Sequence, residues 1–174
     1  MTQMTIAELQ KLIKERQAMY DSMILKERKC ATFEVAADES VEFLRPTFDM
    51  MENLKQLEGL RNQITKLKHA LNVFNASNTV PKLHITVDEL LARLPMLKAE
   101  VERLSDYKNR LPRERSTCSN RYMTTKNPDY TIINYDLDEI MVEYQTKFAL
   151  LTKYQLELDN INNTSVVELP DDLC

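Results

Sequence analysis

Two runs of apolar residues between positions 46 and 111 recur at intervals of three and four and leave this chain few ways to fold. The first is Leu57, Leu60, Ile64, Leu67, Leu71 and Phe74. The second is Val87, Leu90, Leu94, Leu97, Val101, Leu104 and Leu111, with Lys108 bridging the last step. On a helix of about 3.6 residues per turn this spacing lines one narrow face, which a partner helix must cover. Between the runs lie Asn72, Asn75 and Asn78, then Pro81, so the chain is expected to turn there. The two runs read together as an antiparallel, coiled-coil-like helical hairpin packed along these stripes.

Glycine is nearly missing: Gly59 is the single one in 174 residues. Sheet-rich and nucleotide-binding folds draw on glycine at tight turns and phosphate loops, so the chain reads as mainly α. With 43% hydrophobic and 29% charged residues it is expected to fold as one soluble helical domain, residues 1–174. No apolar run approaches the roughly 18 residues of a membrane span, and the first residues lack a signal peptide's basic-then-apolar order. Cys30, Cys118 and Cys174 form an odd set without CxxC spacing, which suits free thiols in a reducing cytoplasm. A zinc site needs four ligands, and only His69 and His84 could join the cysteines. No metal or cofactor is expected.

Cap signals divide the rest of the chain. Thr5-Ile6-Ala7-Glu8 is a capping box that opens a helix over residues 5–28, with Ile6, Leu9, Ile13, Tyr20, Met23 and Ile24 on one face. Arg16 falls in that stripe, where its stem can pack. Pro46 suits a first helical turn, which predicts the second helix over residues 46–74. Its end has no glycine, so an asparagine is expected to take the left-handed cap position. Thr86-Val87-Asp88-Glu89, a second capping box, opens the third helix over 86–109, and Pro95 inside it predicts a kink. Tyr130 to Tyr135 alternates like a strand and could pair with residues 119–125, a small β-hairpin near residues 119–135. Asp136 caps a fourth helix over 136–162, carried by Leu137, Met141, Tyr144, Phe148, Leu151, Leu158 and Ile161. The acidic tail 163–174 is expected to be loose at its end.

This order of elements resembles the septicolysin-like bacterial proteins, a small helical family. The matching features are the asparagine corner 72–78, the threonine-capped helix after Thr86, and a strand-like piece before an acidic-capped helix. That helix closes with Ile161-Asn162-Asn163-Thr164-Ser165 ahead of Glu168-Leu169. The resemblance implies a helical fold. The haemolysis in the family name has no counterpart here, since the sequence shows neither an export signal nor a membrane-length apolar segment.

Two constellations could carry a function. Lys108, Arg110, Arg113, Arg115, Arg121 and Lys126 against Glu114 give residues 108–126 a net charge of +5. Residues 127–174 carry −8, with ten acids against Lys147 and Lys153. A basic loop can hold phosphates of a polyanion or nucleic acid. The overall charge of −4 favours instead neutralisation by the acidic fourth helix, within one chain or between subunits. Asn72, Asn75 and Asn78 could form a polar corner for a small ligand, but capping the carbonyls of a helix end explains them without one. His69 and His84 lack partners at a catalytic spacing, and no GxSxG, phosphate loop or HExxH motif is present.

These features suggest a cytoplasmic helical scaffold or interaction protein that is not an enzyme. Leu54, Leu91, Met50, Met51, Tyr107, Tyr154 and Leu156 widen the apolar faces beyond one seam, which predicts a homo-oligomer. The alternative is a polyanion- or nucleic-acid-binding module that uses loop 108–126.

Overall fold

The first helix starts where its cap signal lies. In the computed structural model, which describes residues 1–115 and 129–173, strand β1 (Thr2–Thr5) runs directly into helix α1 (Ile6–Cys30). The Thr5 hydroxyl accepts from the Glu8 amide at 3.2 Å, and the Glu8 carboxylate accepts from the Thr5 amide at 2.7 Å. That backbone hydrogen bond, seconded by the Thr5 hydroxyl, holds the Glu8 carboxyl below its ordinary pKa. After a short helix α2 (Val41–Leu44), helix α3 (Met50–Ser77) begins four residues later than Pro46 suggests. Asp49 takes the cap, its Oδ1 accepting from the amides of Met51 and Glu52. A carboxylate facing two unpaired amides at the positive end of the helix outweighs proline's fixed φ.

The residues group into two compact units, Met1–Val87 with Asp159–Cys174, and Asp88–Leu158. In the first unit α1 and α3 lie side by side and antiparallel. Leu9 and Ile13 near the start of α1 pack on Leu67 near the end of α3, and Glu27 near the end of α1 accepts from Asn53 near the start of α3 at 2.8 Å. Asn53 is one of the few buried polar residues, and this bond satisfies it. Within this unit the antiparallel pair is formed by the first and second long helices. Periodicity identifies the face of α3 that is buried but carries no information about which helix covers it.

The same core takes in the C-terminal residues, correcting the expectation of a loose tail. Strand β6 (Val166–Leu169) pairs antiparallel with β1, Thr2 opposite Leu169 and Thr5 opposite Val166. Leu169 and Leu173 are buried with Leu9, Ile13 and Leu67. Asp171, in the 3₁₀ turn Asp171–Leu173, accepts from the Met1 ammonium and from the Thr2 hydroxyl, both at 2.8 Å.

No asparagine is left-handed at the end of α3. Asn78 is extended (φ −98°), and its side-chain amide donates to the Phe74 carbonyl, so the chain passes straight into a minimal hairpin. Strands β2 (Thr79–Val80) and β3 (Ile85–Thr86) pair around a turn that holds His84 at φ 55°. Among the described residues His84 is the non-glycine with positive φ, a region that histidine enters more readily than most.

The second unit contains most of helix α4 (Val87–Lys108), which continues through Pro95, and most of helix α5 (Leu137–Thr164). Leu97 and Val101 pack on Leu151, with Leu94, Tyr144, Leu150 and Tyr154 around them. Strands β4 (Arg113–Arg115) and β5 (Tyr130–Ile132) form a two-stranded antiparallel ribbon. The expected strand at Tyr130 is present, but its partner is Arg113–Arg115; residues 119–125 lie outside the described residues.

Leu67 is fully buried and Leu97 nearly so. Leu67→Ala and Leu97→Ala should each cost roughly 2–5 kcal/mol in urea unfolding. A loss below about 0.5 kcal/mol at both positions, the range of surface changes, would contradict the packing described. Gly59 lies inside α3 with nothing within 4 Å of the position a Cβ would take. Gly59→Ala should therefore raise stability by about 0.5–1 kcal/mol.

Candidate functional site

The basic residues singled out by charge gather at one end of the second unit, and tyrosines gather with them. Helix α4 ends at Lys108, a favourable place for a cation beside the negative helix terminus. The Tyr107 carbonyl accepts from the Arg110 amide at 3.2 Å and from the Tyr135 hydroxyl at 2.8 Å. The Tyr107 and Tyr135 rings lie 5.7 Å apart, tilted by 53°. Pro112 then offers its carbonyl to the Ile133 amide and leads into β4. On the other side of the ribbon, Asp136 Oδ1 accepts from the amides of Asp138 and Glu139 and starts α5.

Each described cation near this end, apart from Arg115, rests on an aromatic face. The Lys108 ammonium lies 3.6 Å from the Tyr144 ring centre, and Tyr144 is stacked on Phe148. The Arg113 guanidinium lies 3.7 Å over Tyr130, and that of Arg110 lies 5.3 Å from Tyr107. Such contacts are cation–π attractions, worth about 0.5–1 kcal/mol at exposed sites. Acids of α5 were the expected partners of these residues; the contacts described are with tyrosines, Tyr144 of α5 among them. Arg121 and Lys126 lie outside the described residues. The acids of the helix pair serve other cations: Lys147 sits 3.2 Å from Glu100 and 3.5 Å from Glu143, and Glu100 first, then Glu143, raises its pKa.

The ribbon's register sorts its side chains. Arg113 stands opposite Ile132, Arg115 opposite Tyr130, and Glu114 opposite Thr131. Alternation along a strand therefore places Arg113, Arg115, Tyr130 and Ile132 on one face and Glu114 on the other. Sequence reading found the strand at Tyr130 and the arginines, but not their pairing. The signal that could have found it is Arg-x-Arg ahead of Tyr-x-Ile, two alternating triplets.

The expected polar corner lies at the end of α3, with Asn78 in its cap position. Asn78 lines a shallow hollow of about 320 Å³ with Ala70, Val73, Phe74, Ser77, Val167 and Glu168, whereas Asn72 and Asn75 are not among its lining residues. Asn78 itself is occupied in capping Phe74. His69 and His84 are both exposed.

A second surface lies on the outer side of α5. Val142 and Leu156 are more than 60% exposed, and Met141 and Phe148 are exposed as well, although the latter two were expected in the buried stripe. With Gln145, Ala149 and Thr152, also exposed, they fall within roughly 120° of helical arc. None of the seven is charged. The Thr152 hydroxyl donates to the Phe148 carbonyl at 3.0 Å and so needs no outside partner.

No protein-family model and no curated protein matches the chain. It is similar in structure to a functionally unknown conserved protein from Corynebacterium diphtheriae, with 18% identity and a TM-score of 0.69 over 96% of this chain and 100% of that one. At that identity the likeness shows a shared fold.

Tyr135→Phe removes a partly buried hydrogen bond and leaves both rings in place. It should cost about 0.5–1.5 kcal/mol in urea unfolding. An unchanged midpoint would mean that the Tyr135–Tyr107 bond does not hold the ribbon to α4.

Proposed function

We propose that the protein is a cytoplasmic, self-associating helical interaction module that is not an enzyme. The observation that carries this reading is the uncharged, largely apolar stripe on α5, from Met141 to Leu156, open to water along about four turns. An exposed apolar face of this length on a soluble protein marks an interaction surface. Its sequence suits a second copy. In an antiparallel two-fold pair centred between Phe148 and Ala149, Phe148 of each copy meets the small Ala149 of the other. Met141 then meets Leu156, and Gln145 meets Thr152. The same register sets Asp138 of each copy opposite Asp159 of the other at the two ends, where both are exposed and water screens them.

The cytoplasmic placement is supported by cysteines without disulfide spacing, of which Cys30 is a free thiol. Among the described residues no helix is long and apolar enough to cross a membrane. The non-enzymatic reading rests on the titratable groups. His69 and His84 are exposed, and the adjacent acids Asp88/Glu89 and Asp138/Glu139 diverge by about 100° on their helices. Kinship with the septicolysin-like proteins belongs to the same proposal and rests on the order of capped helices and strands described above.

Light scattering on an eluting peak tests the assembly. At micromolar concentration the mass should be a stable multiple of 20.4 kDa. Val142→Glu with Leu156→Glu should reduce it to one copy while helical circular dichroism is kept. A single-copy mass for the unaltered protein, or an unchanged multiple for the double variant, would overturn the reading.

A further inference from the structure

We infer that the β4–β5 ribbon is a binding surface for single-stranded nucleic acid. The ribbon's register puts two arginines, a tyrosine and an isoleucine on one exposed face, and its single acid, Glu114, on the opposite one. Arg113 and Arg115 are two residues apart on a strand, roughly 7 Å along it, so they can serve successive phosphates of an extended single strand. The Arg113 guanidinium already lies over the Tyr130 ring, 3.7 Å from its centre. A guanidinium held against a ring by its carbon still presents N–H donors at its edge, which suit a phosphate. The ordering cost of a long cationic side chain is thereby partly met before any ligand arrives. Among the described residues Arg115 has no ion-pair partner.

Charge alone would suit any polyanion, and the aromatic component selects among them. The Arg113–Tyr130 stack can be continued by a base, on the guanidinium plane or on the open tyrosine face, and Ile132 (66% exposed) adds an apolar edge beside it. Stacking on tyrosine and on guanidinium planes is how proteins hold unpaired bases. A duplex keeps its bases inside and gains only from the cations. An acidic protein segment, such as the C-terminal region of a second copy, has no use for the platform. Lys108 and Arg110, at the end of α4 that the ribbon follows, extend the positive field around it.

Fluorescence anisotropy of the full chain with labelled oligo(dT), a DNA duplex and heparin tests this at about 50 mM and about 200 mM salt. Oligo(dT) should bind in preference to the duplex, and the affinity should fall steeply as salt rises. Tyr130→Leu should weaken oligo(dT) at least about fivefold and leave heparin within about twofold, because only a base uses the ring. Arg113→Gln with Arg115→Gln should weaken both ligands and reduce the salt slope for oligo(dT) by about one to two. All these positions are exposed on the ribbon, and helical circular dichroism checks that the variants fold. No oligo(dT) binding at low salt, equal binding of the duplex, or equal loss of heparin in Tyr130→Leu would each overturn the inference. So would a drop in assembly mass for the double-arginine variant with oligo(dT) affinity unchanged, since the face would then belong to a second copy. The ribbon lies apart in sequence from the α5 stripe, and the two proposals fail independently.

Discussion

The α1–α3 seam is the contact on which the first unit depends, because it is closed by residues from both ends of the chain. Leu9 and Ile13 come from the first helix, Leu67 from the middle of the sequence, and Leu169 and Leu173 from the last residues. Neither helix would hide its stripe alone: an isolated amphipathic helix is marginal in water, and most of its stability comes from the face it buries. The β1–β6 pairing fixes where that face falls. The Thr5–Glu8 box starts α1 on the residue where β1 ends, so strand register and helix phase are set by the same residue. Closing this core requires contacts about 160 residues apart, such as Leu9 with Leu169. The entropy of so long a closure grows only slowly with length, and two strands and a shared apolar cluster offset it.

What could be read from the sequence is what depends on neighbours along the chain. The Thr5 and Asp136 caps, the uninterrupted helix across Pro95 and the strand at Tyr130 each follow from a few adjacent residues, and each lies where local chemistry puts it. Pairings between distant segments were not legible. The stripe of α3 is buried as expected, but against α1; the stripe of α4 finds Leu151 of α5. A helix period says that a face must be covered and is silent about the partner. The acidic tail reads as solvated by composition, yet Leu169 and Leu173 are buried, β6 pairs with β1, and Asp171 holds the Met1 ammonium.

The candidate sites show the same division. The cations were visible as a charge cluster, but their aromatic partners come from β5, α4 and α5, brought together only by folding. At the polar corner the local chemistry is a cap: the Asn78 side-chain amide donates to the Phe74 carbonyl at the end of α3. The two surfaces left over differ in kind. The α5 stripe is uncharged and offers shape, which favours a copy of the same helix; the ribbon offers charge with aromatic faces, which favours a ligand carrying both phosphate and bases. A module that assembles through one and binds through the other would gain avidity along a strand without new contacts.

The claim most central to this reading is that α5 of one copy lies against α5 of another. A nitroxide at Lys153→Cys, on the flank of the stripe, with Cys30, Cys118 and Cys174 changed to serine, reports it directly by pulsed dipolar spectroscopy. One label per chain gives a signal only between copies. Antiparallel pairing about Phe148 and Ala149 should give strong dipolar modulation with one narrow distance, abolished by dilution with unlabelled protein. Absence of modulation at concentrations where the protein is assembled would contradict it.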